Sequence, residues 1–159
     1  MVVNLVAEYS GGARVMKTRT TFLILSFLAL VMPLTAKPTD NKSVELISVE
    51  ELKAKFAQNE AVLIIDVRTS ESYASSTAKI KGAIHISLRK LKYRLGFPPL
   101  KDVPKDREVI TYCSCPSEHS SIEAAQIMIE NGFKRVRALK GGWPEWQKVS
   151  GPIEPRPRG

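Results

Sequence analysis

The chain is poor in the residues from which specialised sites are usually built. Its 159 residues include two cysteines, two histidines and two tryptophans, and aromatics make up 7%. Cys113 and Cys115, even with His119 beside them, fall short of the four ligands of a structural zinc site, so no metal is expected. A dense basic run is also missing. The 24 Lys and Arg are spread among 16 Asp and Glu with few aromatics beside them, which argues against a nucleic-acid partner despite a net charge of +8. No apolar run reaches the roughly 20 residues that cross a bilayer as a helix; the longest, Phe22 to Met32, has about 11. What is present, 43% hydrophobic and 25% charged residues, is the composition of one globular domain.

The amino terminus carries a processing pattern. Lys17 and Arg19 precede the apolar run, and Pro33-Leu34-Thr35-Ala36 then leads into a polar stretch, the order of a signal peptide's basic, apolar and cleavage regions. Residues 1–36 are therefore expected to be a signal peptide with an upstream extension. Translation is expected to start at Met16, because the basic region normally comes first. The protein would be exported, to a periplasm or the outside, and would meet a membrane only if the segment stays uncleaved. Removing residues 1–36 leaves the chain basic.

Residues 37–45 read as a linker around Pro38, residues 46–153 as the domain and residues 154–159 as a flexible tail. Ser48-Val49-Glu50-Glu51 fits a capping box, with Val49, Leu52 and Phe56 on one helical face. Ala61 to Val67 is a continuous aliphatic run, as in a parallel strand buried on both faces. Ala83 to Ile86 and Val109 to Tyr112 are further strands, separated by a basic, partly amphipathic helix over Leu88 to Leu95. Ser120 or Ser121 can cap a helix through Asn131, with Ile122, Ala125 and Ile129 inward and Gly132 ending it. Val136 to Leu139 is a last strand, and a terminal helix opens near Pro144. Strands alternate with helices, so the fold class is α/β, a mainly parallel central sheet with helices on both faces.

In such sheets ligands bind outside the carboxyl ends of the strands, and the loop Cys113-Ser114-Cys115-Pro116-Ser117-Glu118-His119-Ser120-Ser121 lies at such an end. A thiol between a strand end and a helix start is surrounded by unpaired backbone N–H groups and the positive end of the helix dipole, which favour thiolate. The same donors would hold negative charge on a sulfur added to it.

The ordered set Leu63-Ile64-Ile65-Asp66-Val67-Arg68, Glu71, Tyr73, Ile80-Lys81-Gly82-Ala83-Ile84, Tyr112-Cys113, Ala124-Ala125, Gly132-Phe133, Val136 and Leu139-Lys140-Gly141-Gly142-Trp143 with Trp146 resembles the rhodanese domain over roughly residues 46 to 150. The resemblance implies a sulfurtransferase. A loop cysteine takes sulfane sulfur from a small donor, carries it as a persulfide and passes it to a thiol acceptor or to cyanide, without a cofactor. Asp66 and Arg68 match a family motif that buttresses the loop by ion pairing.

The loop departs from the family's pattern of one Cys, four variable residues, an Arg and a Ser. Counting back from Ala124-Ala125 makes Cys115 the nucleophile, with Ser120 in the Arg position and Ser121 on the family Ser. Counting forward from Tyr112 picks Cys113 and a loop two residues longer. Cys115 is the favoured choice, because its register keeps the loop-to-helix geometry, with Pro116 in the first turn. Without the guanidinium, and with Glu118 repelling anions and raising a neighbouring thiol's pKa, thiosulfate turnover should be weak; only a protonated His119 would offset this. No Arg lies between Arg107 and Arg135, which also argues against an oxyanion-binding phosphatase loop. Two alternatives accompany the sulfur-transfer reading. One is a thiol redox switch in which Cys113 resolves a persulfide or sulfenate on Cys115. The other is a non-catalytic module that offers Trp143, Trp146 and a basic face to a protein partner. His85 reads as structural.

Overall fold

The computed structural model describes residues 43–157. The expected signal peptide, its start at Met16 and most of the 37–45 linker lie outside the described residues, as do the last two residues of the expected tail.

Chain order is β1 (Glu45–Ile47), α1 (Val49–Ala57), β2 (Leu63–Asp66), α2 (Ser70–Ser75), β3 (Ala78–Ile80), β4 (Ile84–His85), α3 (Leu88–Arg94), a 3₁₀ turn (Leu100–Asp102), β5 (Glu108–Tyr112), α4 (His119–Glu130), β6 (Arg135–Leu139), α5 (Gly142–Lys148) and β7 (Ile153–Pro155). Five strands form one parallel sheet in the order β1-β6-β5-β2-β4, with Ile64 opposite Ile110 and Asp66 opposite Tyr112. Strand alternation divides the apolar residues between two faces. Ile65, Val109 and Cys113 join Leu91 of α3 and Ala124, Ala125 and Met128 of α4 in one core. Ile64, Ile110 and Tyr112 join Leu52 of α1 and Trp143 and Trp146 of α5 in the other. The continuous run at residues 63–66 is thus explained by burial on both sides.

Ser48 caps α1 as expected, its hydroxyl accepting from the Glu51 N–H at 3.1 Å. The reciprocal half of the box is absent, because the Glu51 carboxylate accepts from Arg137 Nη1 at 2.7 Å instead. Helix α4 corrects two expectations. It begins at His119 with Glu118 at the cap in the left-handed region, φ 50°, so neither Ser120 nor Ser121 caps it. Its inner face is Ser121, Ala124, Ala125, Ile127 and Met128, with Ile129 exposed and Ile122 half-buried. Isoleucines lie around several sides of this helix, so apolar periodicity is a poor guide there. The small Ala124 and Ala125 set the face by letting the helix approach the sheet closely. Gly132, φ 90°, ends the helix, and the Phe133 N–H donates to the Met128 carbonyl in a Schellman closure.

The supposed tail from residue 154 is also corrected. Ile153–Pro155 form β7, antiparallel to β3, with Lys79 paired to Glu154. Arg156 then donates its N–H to Thr77 O and its Nε to Ser76 O, each at 3.0 Å. Ordered structure thus continues past β7 to Pro157.

Candidate active site

Parallel strands that all point one way bring four segments to the carboxyl edge of the sheet: Asp66-Val67-Arg68 after β2, Ile86-Ser87 after β4, the Cys loop after β5 and Lys140 to Gly142 after β6. Asp66 and Arg68, both fully buried, form the underside. Arg68 Nε donates to both Asp66 carboxylate oxygens at 2.9 and 3.0 Å, Arg68 Nη2 donates to Oδ2 at 2.6 Å, and the Tyr112 hydroxyl donates to the same Oδ2 at 2.6 Å. Burial by itself would lower the Arg68 pKa, but the Asp66 carboxylate more than offsets it and holds the guanidinium charged. Burial, and then the neighbouring carboxylate, drives the Tyr112 pKa far up, so its hydroxyl is a neutral donor. The guanidinium sits 4.8 Å from the Trp143 ring centre, 5.2 Å from Tyr73 and 5.7 Å from Tyr112. Trp143 in turn donates its backbone N–H to the Cys113 carbonyl at 2.8 Å. The ion pair is therefore interior, and it reaches the loop through Tyr112 and Trp143.

The two cysteines occupy different environments. Cys113 follows β5 directly and lies in the core, its thiol 3.8 Å from both the Cys115 carbonyl and the Ser121 hydroxyl. Cys115 is half-buried, at the start of a turn closed by the Glu118 N–H on the Cys115 carbonyl at 3.3 Å. Pro116 and Ser117 are the exposed centre of this turn, a position that suits the fixed φ of proline. Pro116 thus lies ahead of the helix and outside its first turn.

Ser120, half-buried, turns its N–H and hydroxyl toward Cys115. Burial alone would raise the Cys115 pKa. The Cys113 thiol and the Ser120 donors outweigh it and hold the Cys115 thiol below its ordinary value. Burial, followed by its bond to Cys115, pushes the Cys113 thiol up. Cys115 is thus the more acidic thiol of the pair and Cys113 the less acidic. Alkylation by iodoacetamide should accordingly follow a titration below that of free cysteine at Cys115. Cys113 should stay unmodified until well above it, as peptide mapping across a pH series would show.

Glu118 has a role that the sequence did not show: its carboxylate accepts from the Gly141 N–H, which ties the Cys loop to the start of α5. Glu118 makes this contact from the left-handed cap of α4, φ 50°. Gly142 completes this contact at φ 52°, where a Cβ would overlap the Cys113 carbonyl. His119 is exposed, and Ser121 is buried with its hydroxyl donating to Glu118 O at 2.8 Å.

Ser72 and Thr111 were not singled out from sequence, and Ser114, Tyr112 and Gly141 were named only within the loop or the family pattern. The Ser72 and Ser114 hydroxyls share a hydrogen bond at 2.8 Å, the Thr111 hydroxyl donates to Ser121 O at 2.7 Å, and Tyr112 and Gly141 act as described. The usable signal was Thr111, a polar residue inside a buried strand, which implies a partner. His85 stacks on Tyr73, ring centres 3.7 Å apart, and its Nε2 lies 3.1 Å from Arg68 O. Both tryptophans are buried. Among the described residues no group of three or more metal-ligating side chains occurs.

An open parallel sheet with a cysteine loop at its carboxyl edge, braced by a buried acid–arginine pair, defines a class that comparison makes specific. The rhodanese-like domain family matches residues 48–149, and the chain belongs to that family. It is 31% identical over 107 residues to a sulfurtransferase of Allochromatium vinosum, covering 67% of this chain and 92% of that protein. It is 33% identical over 100 residues to the thiosulfate sulfurtransferase GlpE of Glaesserella parasuis, covering 63% and 84%. Among solved structures, the BH2092 protein of Bacillus halodurans is similar with a TM-score of 0.59 and 30% identity, over 71% of this chain and 77% of that one.

Proposed function

We propose that this chain moves sulfane sulfur through Cys115, as a sulfurtransferase or persulfide carrier. The observation that carries the proposal is the half-buried Cys115 at the start of the turn that leads into α4, with the Cys113 thiol 3.8 Å from its carbonyl. The Cys115 thiolate attacks the terminal sulfur of a donor. The donor's own S–S bond breaks with its electron pair, releasing sulfite from thiosulfate or a shortened chain from a polysulfide. The new S–S bond makes a Cys115 persulfide, whose terminal negative charge falls to the N–H groups at the helix start. An acceptor thiolate then attacks the outer sulfur and leaves as a persulfide, returning the Cys115 thiolate.

Ser120 stands where relatives of the usual pattern carry a guanidinium, so a doubly charged small anion has no bidentate partner on the loop. Polysulfide should therefore load the protein readily while thiosulfate turns over at least about tenfold less well, on the scale of one charge-assisted hydrogen bond. Steady-state transfer to a thiol acceptor from each donor, with intact mass after loading, tests this. Efficient thiosulfate turnover would remove the donor preference, and no added sulfur from either donor would remove the function.

The closeness of the Cys113 thiol to the loop supports a second reading. Cys113 would attack Cys115 Sγ of the persulfide, expel hydrosulfide and leave a Cys113–Cys115 disulfide for an external thiol to reduce. The amino-terminal signal pattern favours an exported protein, for which such a resolving step suits an oxidising compartment.

A further inference from the structure

From Ser72 to Lys101 the chain contains no Asp or Glu, but seven Lys and Arg. Helix α3 gathers this charge on one side. Its Leu88, Leu91 and Leu95 pack into the same core as Cys113 and Cys115, so at 100° per residue the opposite face carries Arg89, Lys90, Tyr93 and Arg94, extended by Phe97. Tyr93 is 68% and Phe97 43% exposed, their ring centres 4.6 Å apart. Among the described residues Arg89, Lys90, Lys92 and Arg94 take part in no ion pair. A cleft of about 280 Å³ lined by Ser70, His85, Ser87, Lys90 and Arg94 lies beside the carboxyl end of β4, linking this face to the edge that holds the Cys loop. The helix also packs against α4, which begins at that loop.

Large exposed aromatics set among unpaired cations form the composition of a recognition surface, since Tyr and Arg anchor interfaces while a solvated surface is mixed in sign. We propose that the outer face of α3 docks an acidic segment of a thiol-bearing protein that exchanges sulfur with Cys115. The partner chemistry rests on the sulfur-transfer reading, whereas the docking face itself does not. Charge complementarity selects an acidic partner, and the nearby thiolate selects one that carries a thiol. A lipid surface fits less well. The helix's leucines are committed to the core, leaving two aromatics to enter a bilayer. Stacking of nucleobases fits less well too, because Tyr93 and Phe97 cover one another.

The full chain would be titrated against fluorescein-labelled peptides without cysteine, one rich in Glu and Asp and one rich in Lys, and against phosphatidylglycerol vesicles. Sulfur transfer from the loaded protein would be followed with cysteine-bearing versions of both peptides and with 2-mercaptoethanol. The acidic peptide should bind more tightly and accept sulfur with a kcat/KM about tenfold or more above the Lys-rich one, an advantage that ~0.5 M salt largely removes. A variant with Arg89→Ala, Lys90→Ala and Tyr93→Ala should lose that advantage and keep its rate with 2-mercaptoethanol. Equal binding of the two peptides overturns the proposal, as does binding to vesicles with no preference between peptides. Selective binding of the acidic peptide without sulfur transfer to any thiol would support the docking face and overturn the sulfur chemistry instead.

Discussion

Arg68→Ala is expected to lower the stability of the domain by about 3–5 kcal/mol, the usual cost of removing one partner of a buried ion pair. The Asp66 carboxylate would keep the Tyr112 hydroxyl and the Arg68 backbone N–H, at 2.6 and 3.1 Å, but lose its one ion-pair partner among the described residues. A void would open where the guanidinium now lies against Trp143, Tyr73 and Tyr112. For a domain of this size the loss corresponds to a fall in Tm of roughly 10 °C or more. Arg68→Lys should recover little, since an ammonium cannot reproduce the fork on both Asp66 oxygens. Asp66→Leu combined with Arg68→Met should cost markedly less than Arg68→Ala, because it leaves no unpaired charge. Urea unfolding of the four proteins decides the matter. A loss below about 1 kcal/mol for Arg68→Ala would mean that the pair behaves as an ordinary surface bridge.

The second large effect falls on the thiols. Cys115→Ser should abolish sulfur loading and cut transfer at least about 10³-fold, since a hydroxyl at neutral pH supplies no comparable nucleophile. Cys113→Ser should keep loading. It exchanges a buried thiol beside Cys115 for a stronger hydrogen-bonding group, so the change should fall on hydrosulfide release. If Cys113 is the resolving thiol, release should drop while transfer to an external thiol persists. The two variants, assayed for both products after polysulfide loading, separate the nucleophile from the resolving group.

Long buried strands were the most legible part of the fold. Residues 63–66 and 108–112 announce themselves because burial on both faces leaves no alternation to misread. Three-residue strands such as β1, β3 and β7 are too short for any period to show. Helix α2, without a buried residue, has no apolar face to read, and its serines resemble a loop. In the site, the position of the Cys loop at a strand's carboxyl end was readable from order and chemistry, and the pairing of Asp66 with Arg68 from the resemblance to the family. The direction of the Glu118 side chain was not. It depends on the left-handed cap and on the Gly141 N–H, 23 residues further along the chain, through which the carboxylate also clasps the loop to the start of α5.

Locating the added sulfur tests the sulfur chemistry most directly. The full chain would be loaded with polysulfide, capped with iodoacetamide and digested, and the peptide spanning Cys113 and Cys115 fragmented between the two residues. Fragment ions should carry the extra sulfur on Cys115, with Cys113 holding only the cap or free. Sulfur found on Cys113, or on neither residue, would contradict the assignment of Cys115 as the carrier.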